Sequence, residues 1–200
     1  MSLPKRRDDD HNHRHTYADY RAWPTDERWE LIDGMAYAMG PAPLRLHQKA
    51  LGNIFRQAAD ALEGKTCEAY IAPFDVRLPK GDEQDDTLDT VVQPDLSVVC
   101  DPAKLDDKGC RGAPDWIVEV LSPATASYDH RTKRALYERS GVREFWLVHP
   151  TDRIATIYRQ VEPRRFGPAE IIELSGQTAV SILPDIVIEW ERVVGAVDKS

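Results

Sequence analysis

Apolar and polar positions follow two different periods along this chain, and the changes of period divide it into elements. From Leu44 to Leu62, the residues Leu44, Ala50, Leu51, Ile54, Phe55, Ala58 and Leu62 fall mainly on one face at a spacing of about 3.6 residues. That spacing predicts an amphipathic helix, closed by Gly64. Arg28–Met39 holds two extended runs around Asp33-Gly34, a dipeptide suited to the positive φ angles of a tight turn, and so predicts a hairpin. Thr16–Trp23 predicts a short helix, with Thr16 and Asp19 at approximate capping-box spacing and Pro24 as its stop.

Thr66–Ala72 and Phe74–Leu78, broken at Pro73, predict strands. Val91–Cys100 and Trp116–Leu121 are nearly continuous apolar runs, predicted as two buried strands joined by the polar loop Asp101–Gly112. A helix is expected from Thr125 to Ser140, with Gly141 past its end, and then the strand Glu144–Val148. Ile154–Gln160 and Glu170–Leu174 are expected at a sheet edge. Ile182–Val194 reads as strand or short helix, with Pro184 leaving both open.

Two of the buried-looking runs each carry one carboxylate, Asp95 and Glu119. An unpaired ionised carboxylate in low dielectric costs many kcal/mol, so each needs a reason. If the two strands pair antiparallel across the loop, Asp95 and Glu119 fall at about the same height. Side chains opposite each other have Cβ atoms about 4.5–5.5 Å apart. Two carboxylates there repel unless a proton or a divalent ion sits between them. Oxygen ligands of this kind suit Mg²⁺ or Mn²⁺. Asp129, Lys133 and Tyr137 share a helical face, so Lys133 can point back over the strand ends, or it can simply pair with Asp129. Asp95 can equally cap a strand entrance after Pro94, and Glu119 can pair with an arginine.

Composition narrows the picture. At 200 residues, 42% hydrophobic and 30% charged, the chain reads as one domain over residues 16–194, with a disordered tail at 1–15 and a short tail at 195–200. No apolar run approaches the roughly 18–20 residues of a membrane span, so no membrane partner is expected. The first fifteen residues have no apolar stretch behind their charges and do not read as a secretory signal. Cys67, Cys100 and Cys110 form no C-x-x-C pair, which argues against zinc and against a disulfide framework. Inert thiols in a reducing, cytoplasmic setting are expected. His11-Asn12-His13 reads as a tail or a casual metal binder, because catalytic HNH sites are dispersed over a folded unit. The acidic loop at residues 80–90 lacks the residue order of a calcium loop and reads as solvated.

The net charge of −8 requires any nucleic-acid binder to have a local basic strip or metal ions. Lys104, Lys108, Arg111, Arg131, Arg134 and Arg139 are candidates for such a strip, or are scattered surface charge.

Taken in order, WELIDG, HQKALGNI, VVQPDLSVV, APDWIVEVLSP, a D-x-x-x-K-x-x-x-Y helix and EFWLVHP resemble the Uma2 family of the PD-(D/E)XK nuclease superfamily. The resemblance covers residues 16–190. It implies an α/β restriction-endonuclease-like core, a central mixed β-sheet flanked by helices. Pro94-Asp95 matches the PD element and Glu119 the second acidic position. The lysine expected two residues later is Leu121 here, and Lys133 on the following helix is the matching residue. Glu30 and His47 match recurrent family positions and are expected to be accessory. The implied chemistry is metal-dependent hydrolysis of DNA phosphodiester bonds. Asp95, Glu119 and the backbone carbonyl of Val120 would hold one or two Mg²⁺ (or Mn²⁺) ions, and Lys133 would orient the water or stabilise the transition state. DNA is the implied partner, and a homodimer the implied assembly. The displaced lysine and acidic balance leave two alternatives: a catalytically inactive nuclease-fold binding or assembly module, and a hydrolase of small phosphate esters.

Overall fold

A computed structural model describes residues 13–24, 26–39, 44–121 and 132–195 of the chain. Asp33 and Gly34 turn as their sequence dictates, with φ of 51° and 74°, so that β1 (Trp29–Ile32) returns as β2 (Met35–Ala38). Ahead of the hairpin, Thr16 and Asp19 form a reciprocal capping box at the start of α1 (Tyr17–Arg21). Helix α2 (Arg45–Leu62) buries Ala50, Leu51, Ile54, Ala58 and Leu62 of the predicted apolar face, whereas Phe55 is half-buried and Leu44 stands exposed at the N-cap, outside the helix.

The remaining strands are β3 (Glu68–Ile71), β4 (Val76–Arg77), β5 (Val91–Val92), β6 (Leu96–Val99), β7 (Leu105–Asp106), β8 (Gly109–Arg111), β9 (Trp116–Val120), β10 (Glu144–His149), β11 (Ile154–Glu162), β12 (Arg165–Phe166), β13 (Glu170–Glu173), β14 (Gln177–Val180) and β15 (Leu183–Glu189). Helix α3 (Arg134–Ser140) precedes β10 and α4 (Trp190–Val194) follows β15. The main sheet runs β12-β11-β10-β9-β6-β3, with β13 also on β11. Its β9–β10 pair is parallel and the others are antiparallel, so the sheet is mixed. A second sheet runs β2-β1-β5-β4-β8-β7, and β14 and β15 form a separate hairpin.

Alternation along β9 and β10 splits the core. Trp116, Val118, Val120, Trp146 and Val148 pack with α2 and with Trp190 of α4. Ile117, Phe145 and Leu147 face the other way, against Leu136 and Tyr137 of α3 and against Val76, Val92 and Cys110 of the second sheet. Glu119 shares the parity of Ile117, so it points toward α3.

Several expectations change. The Val91–Cys100 run is two strands in different sheets, parted at Gln93-Pro94-Asp95, where Pro94 has no N–H to continue a ladder. The polar loop holds the β7–β8 hairpin. Strand β11 lies inside the main sheet and not at its edge. The segment from Ile182 onward is both alternatives in turn, strand β15 and then α4. The predicted start of the third helix at Thr125, with Asp129 and Arg131, lies outside the described residues. Gly141 closes α3 with φ 93°, as expected.

The expectation of three inert thiols is corrected. Strands β3 and β6 pair Glu68 with Val99, and one further step sets Cys67 opposite Cys100, which are joined in a disulfide. Cys110 is left as a buried free thiol. The acidic loop is not merely solvated either. The fully buried guanidinium of Arg77 donates to Asp85 of that loop at 2.5 Å and to Asp106 at 2.6 Å. Among the described residues, no helix is long and apolar enough to cross a membrane.

Candidate active site

The antiparallel register of β6 and β9 pairs Leu96 with Val118, so one further step places Asp95 opposite Glu119. This is the arrangement expected from the two apolar runs. Asp95 stands just before β6. Its Oδ2 accepts the backbone N–H of Val120 at 2.8 Å and lies 3.1 Å from Nε2 of His47. Both contacts fall on Oδ2. The helical face of α2 thus brings His47, 9% exposed, to Asp95. Its Nδ1 is buried without a hydrogen-bond partner.

Glu119 is 4% exposed, and its Oε1 accepts from two α3-side groups. The Lys133 ammonium lies 3.0 Å away and the Tyr137 hydroxyl 2.6 Å away. Lys133, itself 4% exposed, also lies 3.0 Å from Oε1 of Glu30 on β1. Glu30 in turn accepts the backbone N–H of Gln93 at 3.1 Å. Burial raises the Tyr137 hydroxyl pKa well above its usual value, and the adjacent Glu119 carboxylate raises it further, so the hydroxyl stays a donor.

The site therefore joins two carboxylates, Glu119 and Glu30, through the Lys133 ammonium, and sets Asp95, held by His47 and the Val120 N–H, opposite Glu119. Glu30 and Lys133 are both buried, so neither stands as a surface ion. Leu121, at the family's usual lysine position, is buried in the core that includes Leu136 and Tyr137. The carbonyl of Val120 leaves β9 on the same edge as its N–H, toward β6. Two steps beyond the observed pairs, the residue opposite it is Pro94, which has no N–H to offer.

Gln93 escaped sequence reasoning because an amide beside Pro94 carries no periodic or charge signal. It is 9% exposed and bonds in four directions. Its Nε2 donates to Tyr20 Oη at 3.1 Å and Asp75 Oδ1 at 2.9 Å. Its Oε1 accepts from Arg28 at 2.9 Å, and its backbone N–H holds Glu30. Tyr20 also donates to Asp75 at 2.9 Å, and its hydroxyl pKa is pushed up by burial and by Asp75.

The candidate basic strip is largely committed internally. Lys104 donates to the carbonyl of Ala113, and Lys108 and Arg111 pair with Asp85. Arg134 pairs with Glu138 and lies over the Tyr158 ring, and Arg139 pairs with Asp33.

A mixed sheet with α2 and α4 on one face and α3 on the other is the architecture of a restriction-endonuclease-like protein, and here it sets Asp95 opposite Glu119 and Lys133 against Glu119. The family profile "Uma2: Putative restriction endonuclease" matches residues 17–193, and the chain belongs to that family. It is 30% identical over 135 residues to the uncharacterized protein slr1290 of Synechocystis sp., spanning 67% of each chain. The fold is also similar to a crystal structure described as "a putative nuclease belonging to DUF820" from Anabaena variabilis ATCC 29413. That match has a TM-score of 0.69 at 19% identity and covers 90% of this chain and 97% of the other.

Proposed function

We propose that the protein is a metal-dependent DNA endonuclease that hydrolyses phosphodiester bonds at the Asp95–Glu119–Lys133 centre. The observation that carries this reading is the gathering of acidic side chains beside one buried lysine at the end of the β6–β9 pair. Glu119 and Glu30 share the buried Lys133 ammonium, and the register of β6 and β9 sets Asp95 opposite Glu119. The two carboxylates and the backbone carbonyl assigned as ligands all offer oxygens, a set that fits Mg²⁺ or Mn²⁺ better than softer ions.

Asp95, Glu119 and the Val120 carbonyl are the residues that would hold the ion. Bound there, a divalent cation lowers the pKa of coordinated water and offsets charge on the scissile phosphate. The protein's own groups position the parts. His47 and the Val120 N–H fix Asp95, while Tyr137 fixes Glu119. Lys133, held between Glu119 and Glu30, keeps an ammonium where charge develops on the phosphate, so little reorganisation is needed during reaction. Placing the lysine beside α3 thus preserves the role that Leu121 cannot fill.

The reading is tested by incubating the protein with supercoiled plasmid and with single-stranded DNA in Mg²⁺ or Mn²⁺. Cleavage that is lost on chelation and lost in Asp95→Ala is expected. Absence of cleavage with either ion, or cleavage unchanged in Asp95→Ala, overturns it. A homodimer that addresses both strands belongs to the same proposal, and a dimer mass by light scattering is expected.

A further inference from the structure

Outside the carboxylate centre, a second group of ligating side chains converges at the start of α1. The ligand atoms of His13, His15 and Asp19 all lie within 4.8 Å of one another. The two imidazole rings are 4.5 Å apart, and His15 packs edge-on against Trp23 at 5.2 Å. From sequence, the tail was expected to run through His15, yet His15 is 8% exposed and the segment is held at several points. The backbone N–H of His15 donates to Gly34 O at 2.8 Å and that of Tyr17 to Leu88 O at 2.6 Å. The Arg14 guanidinium donates to the carbonyl of Asp33. Gly34 makes this docking possible, since a Cβ there would stand 2.8 Å from Arg14 Cδ.

Asp19 is aimed in the same way. Its Oδ2 accepts from the Thr16 N–H at 2.8 Å and from the Thr16 hydroxyl at 3.1 Å, which fixes the rotamer and leaves Oδ1 for a further partner. The capping box thus does for this carboxylate what hydrogen-bonded supports do for metal ligands in general.

We propose that His13, His15 and Asp19 form a binding site for one transition-metal dication of the Zn²⁺ class, with water completing the coordination. Two imidazoles and one carboxylate are a donor set suited to borderline ions and poorly suited to Mg²⁺. The site is distinct in residues and in chemistry from the all-oxygen centre at Asp95. Its consequence is mechanical. The ion fastens the segment ahead of α1 to α1 itself, whose Tyr20 hydroxyl bonds to Asp75 and Gln93. The inference does not depend on the nuclease reading.

The test is isothermal titration of metal-stripped protein with Zn²⁺, performed on the Asp95→Asn variant so that the carboxylate centre contributes least. Saturable binding of one ion per chain is expected, undiminished by excess Mg²⁺. His13 is exposed, so His13→Ala leaves the fold intact and is expected to weaken binding by about tenfold or more. Asp19→Asn, which keeps an oxygen for the cap, is expected to weaken it in the same sense. Zn²⁺ should also raise the melting temperature of the Asp95→Asn parent and not of its His13→Ala derivative. No saturable Zn²⁺ binding, or isotherms for both derivatives that superimpose on the parent, overturns the proposal.

Discussion

Lys133 and Glu119 are fourteen residues apart in sequence, and their charged ends meet at 3.0 Å with 5% of each side chain exposed. Glu30 approaches the same ammonium from β1, also at 3.0 Å. One buried cation thus ties together β9, β1 and the start of α3. Because the side chains are shielded from solvent, neither carboxylate can substitute water freely for the lost partner.

Lys133→Met is therefore expected to destabilise the protein by about 3–5 kcal/mol, the usual cost of leaving a buried charge without its partner. Urea unfolding of wild type and variant measures it. A loss below about 1 kcal/mol contradicts the buried pairing, since that is the range of an exposed ion pair.

Tyr137→Phe removes a single hydroxyl, donated to Glu119 at 2.6 Å inside the core. A hydrogen bond to a charged group contributes about 1.5–3 kcal/mol, and a loss of that size is expected in the same unfolding experiment. An unchanged midpoint would mean that the Glu119 oxygen is satisfied without Tyr137.

Pro94→Ala supplies a backbone N–H opposite Val120, where the register now has none. If the Val120 carbonyl takes part in holding Mn²⁺, the added donor competes for it. Mn²⁺ affinity by titration is expected to fall roughly tenfold, within the usual effect of changing a ligand's surroundings. Affinity equal to wild type removes Val120 from the ligand set.

Alkaline pH offers a separate check on the packing around β8. Burial pushes the Cys110 thiol up from 9.0 to about 11, against the opposing pull of Lys104 and Arg77. Between these values the unfolded chain has released the proton and the folded one has kept it. Stability from this group is complete below pH 9 and is lost as pH rises to about 11. The shift corresponds to roughly 2–3 kcal/mol. Denaturation across this range should show wild type losing that much more than Cys110→Ala. Parallel profiles for the two proteins contradict the shift.

What the sequence disclosed, and what it hid, follows from the range of each signal. Helix α2 and the Asp33-Gly34 hairpin are local, so their apolar period and turn residues suffice. The placement of Asp95 opposite Glu119 was legible because both sit inside apolar runs flanking one loop. Three other features depend on pairings between distant segments. The disulfide joins cysteines 33 residues apart, which no local spacing encodes. The division of β5 from β6 turns on Pro94, whose meaning depends on which strand lies alongside. The role of Gln93 as a junction between Glu30, Asp75, Tyr20 and Arg28 arises only once four separate segments are packed. Lys133 is an intermediate case. Helical spacing put it near Tyr137, but only the fold brings Glu30 to its other side.

The most direct test of the central claim is anomalous scattering from a crystal of the protein soaked in Mn²⁺. The predicted result is a peak within coordination distance of the Asp95 and Glu119 carboxylates and the Val120 carbonyl, with Lys133 beside it. A crystal whose Mn²⁺ peaks all lie away from Asp95 and Glu119 contradicts the assignment of these residues as the metal centre.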